Sequence, residues 1–248
     1  MEIDINVDMG EGFGLYKIAE DEAIMPFISS ANIACGFHAG DPVIINKTVK
    51  MAKRFNLAIG AHPGFPDRQG FGRREIVMTS EELYSDIVYQ IGALKVFVEK
   101  EGLHLHHVKP HGKLYGLAHS NKVIAEVICR AINDIDKNLY LYCMKKGYLS
   151  EVAESMGIKT VFEVYSDLDC DDEGNLIITR KHSKKSEKEI VERVLTMVNQ
   201  KKVKTISGNY IPIEGNSICV HSDTPGSVEI AKSINKALRE NGYNIVFP

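Results

Sequence analysis

The sequence lacks the cysteine and hydrophobic patterns that mark secreted and membrane proteins. Its five cysteines are odd in number and scattered, and no two have C-x-x-C spacing. Neither a disulfide framework nor a structural zinc site is therefore predicted. The first four residues are acidic and alternating, unlike a signal peptide, and no apolar run approaches the roughly 18 residues of a membrane span. These absences predict a protein of the reducing cytoplasm.

Strong charge and the common nucleotide motifs are also missing. The formal net charge of -3 at pH 7 gives no electrostatic reason to expect nucleic acid or an anionic membrane as a partner. Residues 10–14 are glycine-rich but do not fit G-x-G-x-x-G, because Leu15 stands where the third glycine would be. No G-x-x-x-x-G-K-[ST] phosphate loop occurs in the 248 residues. No repeat or linker divides the chain, so residues 1–248 are predicted to form a single domain.

The sequence does contain a regular alternation of strands and helices. Residues 2–8 alternate between apolar and polar, which predicts a strand whose polar face, with Asp4, Asn6 and Asp8, lines the interior of a barrel that holds a ligand. Residues 176–181 and 204–213 are interpreted as short β segments, residues 112–116 as a loop, and residues 224–226 as the cap of the last helix. Thr79 and Glu82 have the spacing of a capping box, which predicts that a long helix starts there. The alternation and the length predict an α/β fold, a parallel β/α barrel. Its strands should begin near Glu2, Ala31, Leu57, His106, Leu139, Thr160 and Ser217.

Residues 31–42 form the stretch around which the chain is organised. A short buried strand is followed by a loop in which His38 lies between Gly36 and Gly40. Asp41 and Pro42 then have the residue types of a helix N-cap and first helical position. A polar side chain is thus held where a strand ends and a helix begins, which is where α/β folds place their chemistry. A histidine that merely satisfies a loop is the alternative interpretation.

The same arrangement recurs at the other strand ends. A lysine in a buried strand, Lys109, is costly unless it pairs with a charge or serves catalysis. Residues 62–74 are rich in Gly, Pro and Arg, which is typical of a functional loop over a site. Convergence of many ionisable groups on one rim predicts an enzyme site. The groups are Asp8, His38, His62, Lys109, His111, Glu163, His221 and Asp223.

These stretches resemble the LamB/YcsF family. The long matches are residues 5–11, 31–42, 60–74 and 108–115, and the weaker ones are 163–167 and 220–225. The resemblance implies an irregular seven-stranded, TIM-like β/α barrel, similar to that of polysaccharide deacetylases. It also implies an ATP-hydrolysing 5-oxoprolinase that opens 5-oxo-L-proline to L-glutamate. Two other subunits, of B and C type, would be partners, and ATP could be bound by one of them.

The sequence departs from the family pattern at two places. The family carries Ala-Asp-Arg-x-Tyr after the sixth strand, whereas Leu168 and Cys170 occupy the Arg and Tyr positions here. The family has His-Gly-Asp after the last strand, whereas Ser222 replaces the glycine. The first departure removes any contact that the arginine would make, and the second changes the local loop.

The resemblance and the strand ends together give a hypothesis for each site residue. Lys109 or Arg73 would hold the substrate carboxylate, and Asp8 or Glu163 would be the general base to a water. His111 and His221 would stabilise the oxygen and protonate the leaving nitrogen. Further substrate contacts are expected from Glu11, Asn32, His38, Asp41, Arg74, Tyr115 and Asp223.

Two alternative functions remain open at this stage. The first is a metal-dependent, deacetylase-like amidohydrolase in which Asp8, His38 and His62 hold a divalent metal. The ligand types are suitable, but their spacing matches no compact metal motif. The second alternative is a non-catalytic ligand-binding or scaffold subunit.

Overall fold

The computed structural model describes residues 1–177 and 185–248. Its ten strands are β1 Glu2–Met9, β2 Ser30–Ala34, β3 Ala58–His62, β4 His107–Val108, β5 Tyr140–Cys143, β6 Thr160–Tyr165, β7 Lys202–Lys204, β8 Tyr210–Pro212, β9 Ser217–His221 and β10 Asn244–Ile245. The α-helices of these two stretches are α1 Asp21–Ile24, α2 Pro42–Arg54, α3 Ser80–Lys100, α4 Gly112–Ser120, α5 Lys122–Ile135, α6 Tyr148–Ser155, α7 Glu187–Gln200 and α8 Ser227–Glu240. A short 3₁₀ helix, Met25–Phe27, follows α1.

Seven strands form a closed parallel barrel. They are hydrogen-bonded in the order β1-β2-β3-β4-β5-β6-β9, and β9 pairs in parallel with β1 to close the ring. β10 adds to the outer start of β1, with Glu2 opposite Asn244. Every predicted strand start lies within one residue of the observed one. The predicted seven-stranded, TIM-like parallel β/α barrel is therefore confirmed.

Strand β1 has the two-sided character that its alternation predicts. Ile3, Ile5 and Val7 belong to the apolar core between the barrel and its helices, where burial from water stabilises the fold. Asp4, Asn6 and Asp8 are buried on the opposite, interior face.

Asp4 lies at the start of β1, at the end of the barrel remote from its carboxyl rim. Its carboxylate accepts hydrogen bonds from Ser29 (2.6 Å), Ser30 (2.7 Å) and Ser217 (2.5 Å). Burial nevertheless raises the pKa of Asp4. The three serine hydroxyls therefore offset part of the free-energy cost of burying this carboxylate.

Two helix starts follow the predicted capping chemistry. Asp41 is the N-cap of α2 and accepts hydrogen bonds from the Val43 and Ile44 amides at 2.8 and 3.0 Å. Thr79 and Glu82 form a reciprocal capping box at the start of α3. These caps satisfy amides that would otherwise lack partners in the first turn.

The structure corrects one local prediction. Residues 112–116 are not a loop, because α4 begins at Gly112 directly after His111. The flanking glycines concealed a helical pattern in which Leu114, Tyr115 and Ala118 are buried. The predicted cap of α8, residues 224–226, agrees with the observed N-cap at Gly226, while the Thr224 hydroxyl donates to Asp167 at 2.8 Å.

The predicted β segments are only partly comparable with the structure. Leu176 forms an isolated bridge with Cys170, while residues 178–181 of the first segment lie outside the described residues. The second segment contributes to the antiparallel hairpin of β7 and β8, in which Val203 pairs with Ile211. None of the helices described is both long and apolar enough to cross a bilayer.

Candidate active site

A narrow cleft opens at the carboxyl ends of the barrel strands. Its cavity volume is about 40 Å³. Lys109 and His111 follow β4, and Tyr165 ends β6. Seven of the sequence-predicted site residues line the cleft: Asp8, His62, Arg73, Lys109, His111, Tyr115 and His221. The structure thus brings together most of the residues that were singled out at strand ends.

Lys109 lies at the floor of this cleft and is almost fully buried, with 2% of its surface exposed. Its ammonium contacts four acceptors: Asp8 Oδ1 (3.0 Å), Asn6 Oδ1 (3.1 Å), Cys219 Sγ (3.0 Å) and Glu163 Oε2 (3.2 Å). Burial alone would lower the pKa of Lys109, but the Asp8 and Glu163 carboxylates raise it well above its ordinary value. Because an ammonium has three protons, these partners saturate it. The structure therefore disfavours Lys109 as the group that holds a substrate carboxylate and makes it the counter-charge of Asp8 and Glu163.

Asp8 is held ionised at the end of β1. Burial would raise its pKa, but the adjacent His62 ring and the Lys109 ammonium bring it well below the ordinary value. Asn32 and Lys109 both donate to Oδ1, at 2.8 and 3.0 Å. Oδ2 lies 3.3 Å from His62 Nε2 and 3.8 Å from His221 Nε2. One carboxylate oxygen is thus anchored while the other faces the histidines.

His221 stands beside Asp8 on the neighbouring strand, since the two residues are register partners. Its Nδ1 lies 2.9 Å from Asp167 Oδ1. Burial would lower the pKa of His221, but the Asp167 carboxylate raises it well above the ordinary value. His221 is therefore an imidazolium whose Nε2–H is directed toward Asp8 and the cleft.

Three further histidines form a compact group at the rim. The His38 and His111 rings stack with centroids 3.7 Å apart, and His62 meets both edge-on. His62 Nε2 and His111 Nδ1 are 2.9 Å apart, and His38 Nε2 is 3.2 Å from Glu11 Oε1. Burial lowers the pKa values of His38 and His111 well below the ordinary value and raises that of Glu11 well above it.

The loop over residues 62–74 packs directly on this histidine group. Gly72 has a φ of +64°, and a Cβ there would lie 2.7 Å from His111 Cδ2 and 2.8 Å from His38 Cβ. Only a glycine combines the left-handed backbone with so close an approach. The His111 ring is also fixed from this loop, because its Nε2 lies 2.8 Å from the Phe71 carbonyl oxygen. That N–H is already used, so the structure disfavours His111 as a donor to a substrate oxygen.

The two arginines of the loop have different surroundings. Arg73 pairs with Asp223 at 2.7 Å and lines both the cleft and an adjoining cavity of 310 Å³. Arg74 binds Asp67 through its Nε, 3.0 Å from each carboxylate oxygen, and this hydrogen bonding lowers the pKa of Asp67. Arg73 is therefore the cation at the mouth of the cleft, whereas Arg74 fixes the loop.

Three other predicted site residues form hydrogen bonds with neighbouring protein groups. Asn32 is fully buried and donates to Asn6 and Asp8, so it positions Asp8. Asp41 caps α2 and also accepts from the Gly14 amide at 2.8 Å. Glu163 is not part of the cleft lining but lines an adjacent cavity of 440 Å³, and its Oε1 accepts from the Tyr165 hydroxyl at 2.9 Å.

Sequence reasoning missed Asp167, Tyr165 and Cys219 as members of the site. Asp167 was not singled out from the sequence as a site residue, yet it is buried and holds His221. Of the positions that depart from the family pattern, Leu168 contributes an apolar wall to the cleft. Cys170 is buried, and so is Ser222, whose hydroxyl has no hydrogen-bond partner among the described residues.

Comparison with known proteins agrees with this architecture. The LamB/YcsF family model matches residues 3–247. The A-type subunit of 5-oxoprolinase from Thermococcus sibiricus is 47% identical over 99% of this chain and 97% of its own. The one from Bacillus cytotoxicus is 45% identical over 100% and 99%.

Solved structures are also similar to this chain over nearly its whole length. The lactam utilization protein from Thermus thermophilus has a TM-score of 0.92 and 38% identity, with 99% of each chain covered. A putative cellobiose-phosphate cleavage protein from Enterococcus faecalis, at 16% identity and a TM-score of 0.60, covering 99% of this chain and 96% of that one, shares the fold alone. The chain belongs to the LamB/YcsF family.

Proposed function

We propose that this chain is the lactam-opening subunit of an ATP-dependent 5-oxoprolinase, which converts 5-oxo-L-proline to L-glutamate. Its relatives at 42 to 47% identity are named as the A-type subunit of 5-oxoprolinase. The observation that carries the proposal is the pairing at the cleft floor of an ionised Asp8 with a charged His221, whose facing atoms are 3.8 Å apart. A base and an acid side by side are what cleavage of an amide bond requires.

The roles follow from the protonation states. Water adds to the lactam carbonyl carbon, and Asp8 accepts its proton. The C–N bond then breaks as His221 gives its proton to the ring nitrogen, which becomes the amine of glutamate. Of the two bases considered, Asp8 is favoured because it lines the cleft while Glu163 is occupied by Lys109 and Tyr165.

Arg73 is proposed to bind the substrate carboxylate. A guanidinium binds a carboxylate through two parallel N–H donors, which fixes the orientation of a small acid. Arg73 stands at the mouth of the cleft, and the adjoining cavity that it also lines provides additional room. Lys109 lies on the opposite side, at the floor, and keeps Asp8 ionised.

ATP enters the proposal as a co-substrate. An unstrained amide is a poor electrophile, and transfer of the terminal phosphoryl group of ATP to its oxygen, with release of ADP, would make it a good one. Water addition and cleavage of the C–N bond would then leave the acyl phosphate of glutamate, and a second water would hydrolyse it to glutamate and inorganic phosphate. The sequence has no phosphate loop of the G-x-x-x-x-G-K-[ST] type, so we propose that partner subunits of B and C type supply the ATP chemistry. The five cysteines, all buried free thiols, support a reducing cytoplasm as the location.

The test is an assay of the purified chain with 5-oxoproline and ATP, in which glutamate and ADP are both measured, with and without the partner subunits. Turnover is expected only with the partners. Robust turnover by the chain alone would show that the ATP chemistry has been assigned to the wrong polypeptide. The absence of glutamate from the complete mixture would overturn the proposed activity itself.

A further inference from the structure

The hydrogen-bond partners of two rim histidines fix which ring nitrogens carry protons. His62 Nδ1 lies 2.7 Å from the Lys109 carbonyl oxygen, and His111 Nε2 lies 2.8 Å from that of Phe71. A carbonyl oxygen can only accept, so both of these nitrogens are N–H donors. In the neutral imidazoles the remaining nitrogens, His62 Nε2 and His111 Nδ1, are therefore bare lone pairs.

These two lone pairs face each other at 2.9 Å. Both nitrogens therefore point acceptor sites at the same small space. Both rings are buried, with 1% and 4% of their surfaces exposed, and water cannot screen charge there. The backbone thus holds two acceptor nitrogens where a bound positive charge is favourable.

A carboxylate lies next to each of these nitrogens. Asp8 Oδ2 lies 3.3 Å from His62 Nε2, and Glu11 Oε1 lies 3.5 Å from His111 Nδ1. The other oxygen of Asp8 is occupied by Asn32 and Lys109, so Oδ2 is the one turned inward. Donor atoms of Glu11, His38, His62 and His111 all lie within 4.8 Å of one another.

We propose that His62 Nε2 and His111 Nδ1 bind a divalent transition-metal ion, with the Glu11 carboxylate as the oxygen ligand. Two imidazoles and one glutamate are a donor set that holds Zn²⁺ in other proteins. The N–H to carbonyl bonds of His62 and His111 are the outer contacts that orient metal-binding imidazoles in other proteins. Asp8 is not among the ligands, because the proposed reaction uses it as the base.

This ligand set differs from the one expected from the sequence. His38 was predicted as a ligand with Asp8 and His62, but its ring stacks on His111 and its Nε2 is directed at Glu11. His38 thereby positions two ligands, and His111 takes its place as the second imidazole. A metal bound here would supply Lewis-acid character next to the cleft.

The proposal does not rest on the 5-oxoprolinase activity, because metal binding can be measured without turnover. Apo protein, prepared by chelation and dialysis, is titrated with Zn²⁺ by calorimetry, and metal content is measured by mass spectrometry. Wild-type protein is expected to bind about one Zn²⁺ per chain. His62→Gln and His111→Gln are each expected to weaken binding by at least about 100-fold.

His106→Gln is the matched control, since His106 lies outside the group and bonds the Pro248 carbonyl oxygen at 2.8 Å. It should retain the wild-type affinity. Failure of the wild-type protein to bind Zn²⁺, or undiminished affinity in both ligand variants, would overturn the proposal.

If a ligand variant does not fold, the visible spectrum of the wild-type protein with Co²⁺ decides the question. Strong absorption from a low-coordinate nitrogen and oxygen ligand set supports the site, whereas the weak spectrum of aqueous Co²⁺ contradicts it. Zinc binding without glutamate formation would refute only the proposed function, and glutamate formation by a protein that fails to bind Zn²⁺ would refute only this inference.

Discussion

The His221 imidazole and the Asp167 carboxylate form a buried ion pair, with Nδ1 and Oδ1 2.9 Å apart. Asp167 also accepts from the Thr224 hydroxyl at 2.8 Å, so the carboxylate is itself held in place. The pair orients the His221 ring and stabilises its charged form, as a carboxylate does for a catalytic imidazole in other enzymes. His221 therefore owes its proposed role as an acid to a residue on another strand end.

Replacement of Asp167 by Asn should impair the chemical step. Without the negative charge, His221 loses the partner that keeps it protonated, and we expect kcat for glutamate formation by the complete enzyme to fall by about 10²- to 10⁴-fold. KM for 5-oxoproline should change little, because Asp167 does not line the cleft. Asp171→Asn, in the nearby exposed turn, is the control and should behave as wild type. A rise in KM with kcat preserved would contradict the assigned role.

Replacement of Lys109 by Met should both destabilise the fold and abolish activity. The substitution keeps the length of the side chain but leaves Asp8 and Glu163 buried without their counter-charge. We expect a loss of about 3–5 kcal/mol in the free energy of unfolding, measured by urea denaturation, and a loss of several orders of magnitude in turnover. Lys113→Met is the control, because that lysine is exposed and lies 3.6 Å from Glu75, where an ion pair is worth at most about 1 kcal/mol. Wild-type activity in the Lys109 variant would show that the buried network is not part of the active site.

Replacement of Arg73 by Lys should weaken substrate binding more than catalysis. An ammonium cannot reproduce the two-pronged contact of a guanidinium with a carboxylate. We expect KM for 5-oxoproline to rise by about 10- to 100-fold, the equivalent of one charged hydrogen bond, with a smaller effect on kcat. Arg130→Lys, at an exposed site 3.7 Å from Glu81, serves as the comparison. An unchanged KM would exclude Arg73 as the carboxylate ligand.

Asp41 should contribute to stability in a pH-dependent way. Hydrogen bonds from the Gly14 and Ile44 amides lower the pKa of Asp41 below its ordinary value. A depressed folded-state pKa gives stability that is present above the unfolded value of about 3.9 and is lost as the pH falls through the folded value. Asp41→Ala should therefore cost about 0.5–2 kcal/mol at pH 7, and the difference from wild type should shrink below about pH 4.

Urea denaturation at the two pH values measures this effect. Asp41→Asn is the control, since asparagine caps helices about as well as aspartate but cannot titrate. A gap between wild type and Asp41→Ala that stayed constant down to about pH 3 would contradict the role of the charged carboxylate.

Much of the fold could be predicted because local patterns determine it. Period-two alternation located β1 and its polar interior face, and the capping residues Asp41 and Thr79 located the starts of α2 and α3. Helix α4 was missed because glycines at both ends of residues 112–116 are typical of a loop. Only its packing, which buries Leu114 and Tyr115, shows why a helix forms there.

The members of the site were easier to predict than their roles. A polar residue at a strand end can be recognised locally, as with His62 and His221. The saturation of Lys109 depends on partners from β1, β6 and β9, which meet only because the barrel closes. Asp167 was missed because its contacts with His221 and Thr224 join residues more than fifty positions apart in the chain.

The buried polar residues around Asp4 limit how a small molecule can enter and leave the barrel. Asp4, Ser30, Ser217 and Tyr142 are each at most 1% exposed, so side chains plug the barrel at that end. In the proposed reaction, substrate and product would then share the opposite mouth, beside Arg73. Any partner that seats over this mouth to deliver an activated substrate would also stand in the exit path of glutamate. Departure of that partner, rather than cleavage of the C–N bond, would then be the rate-limiting step.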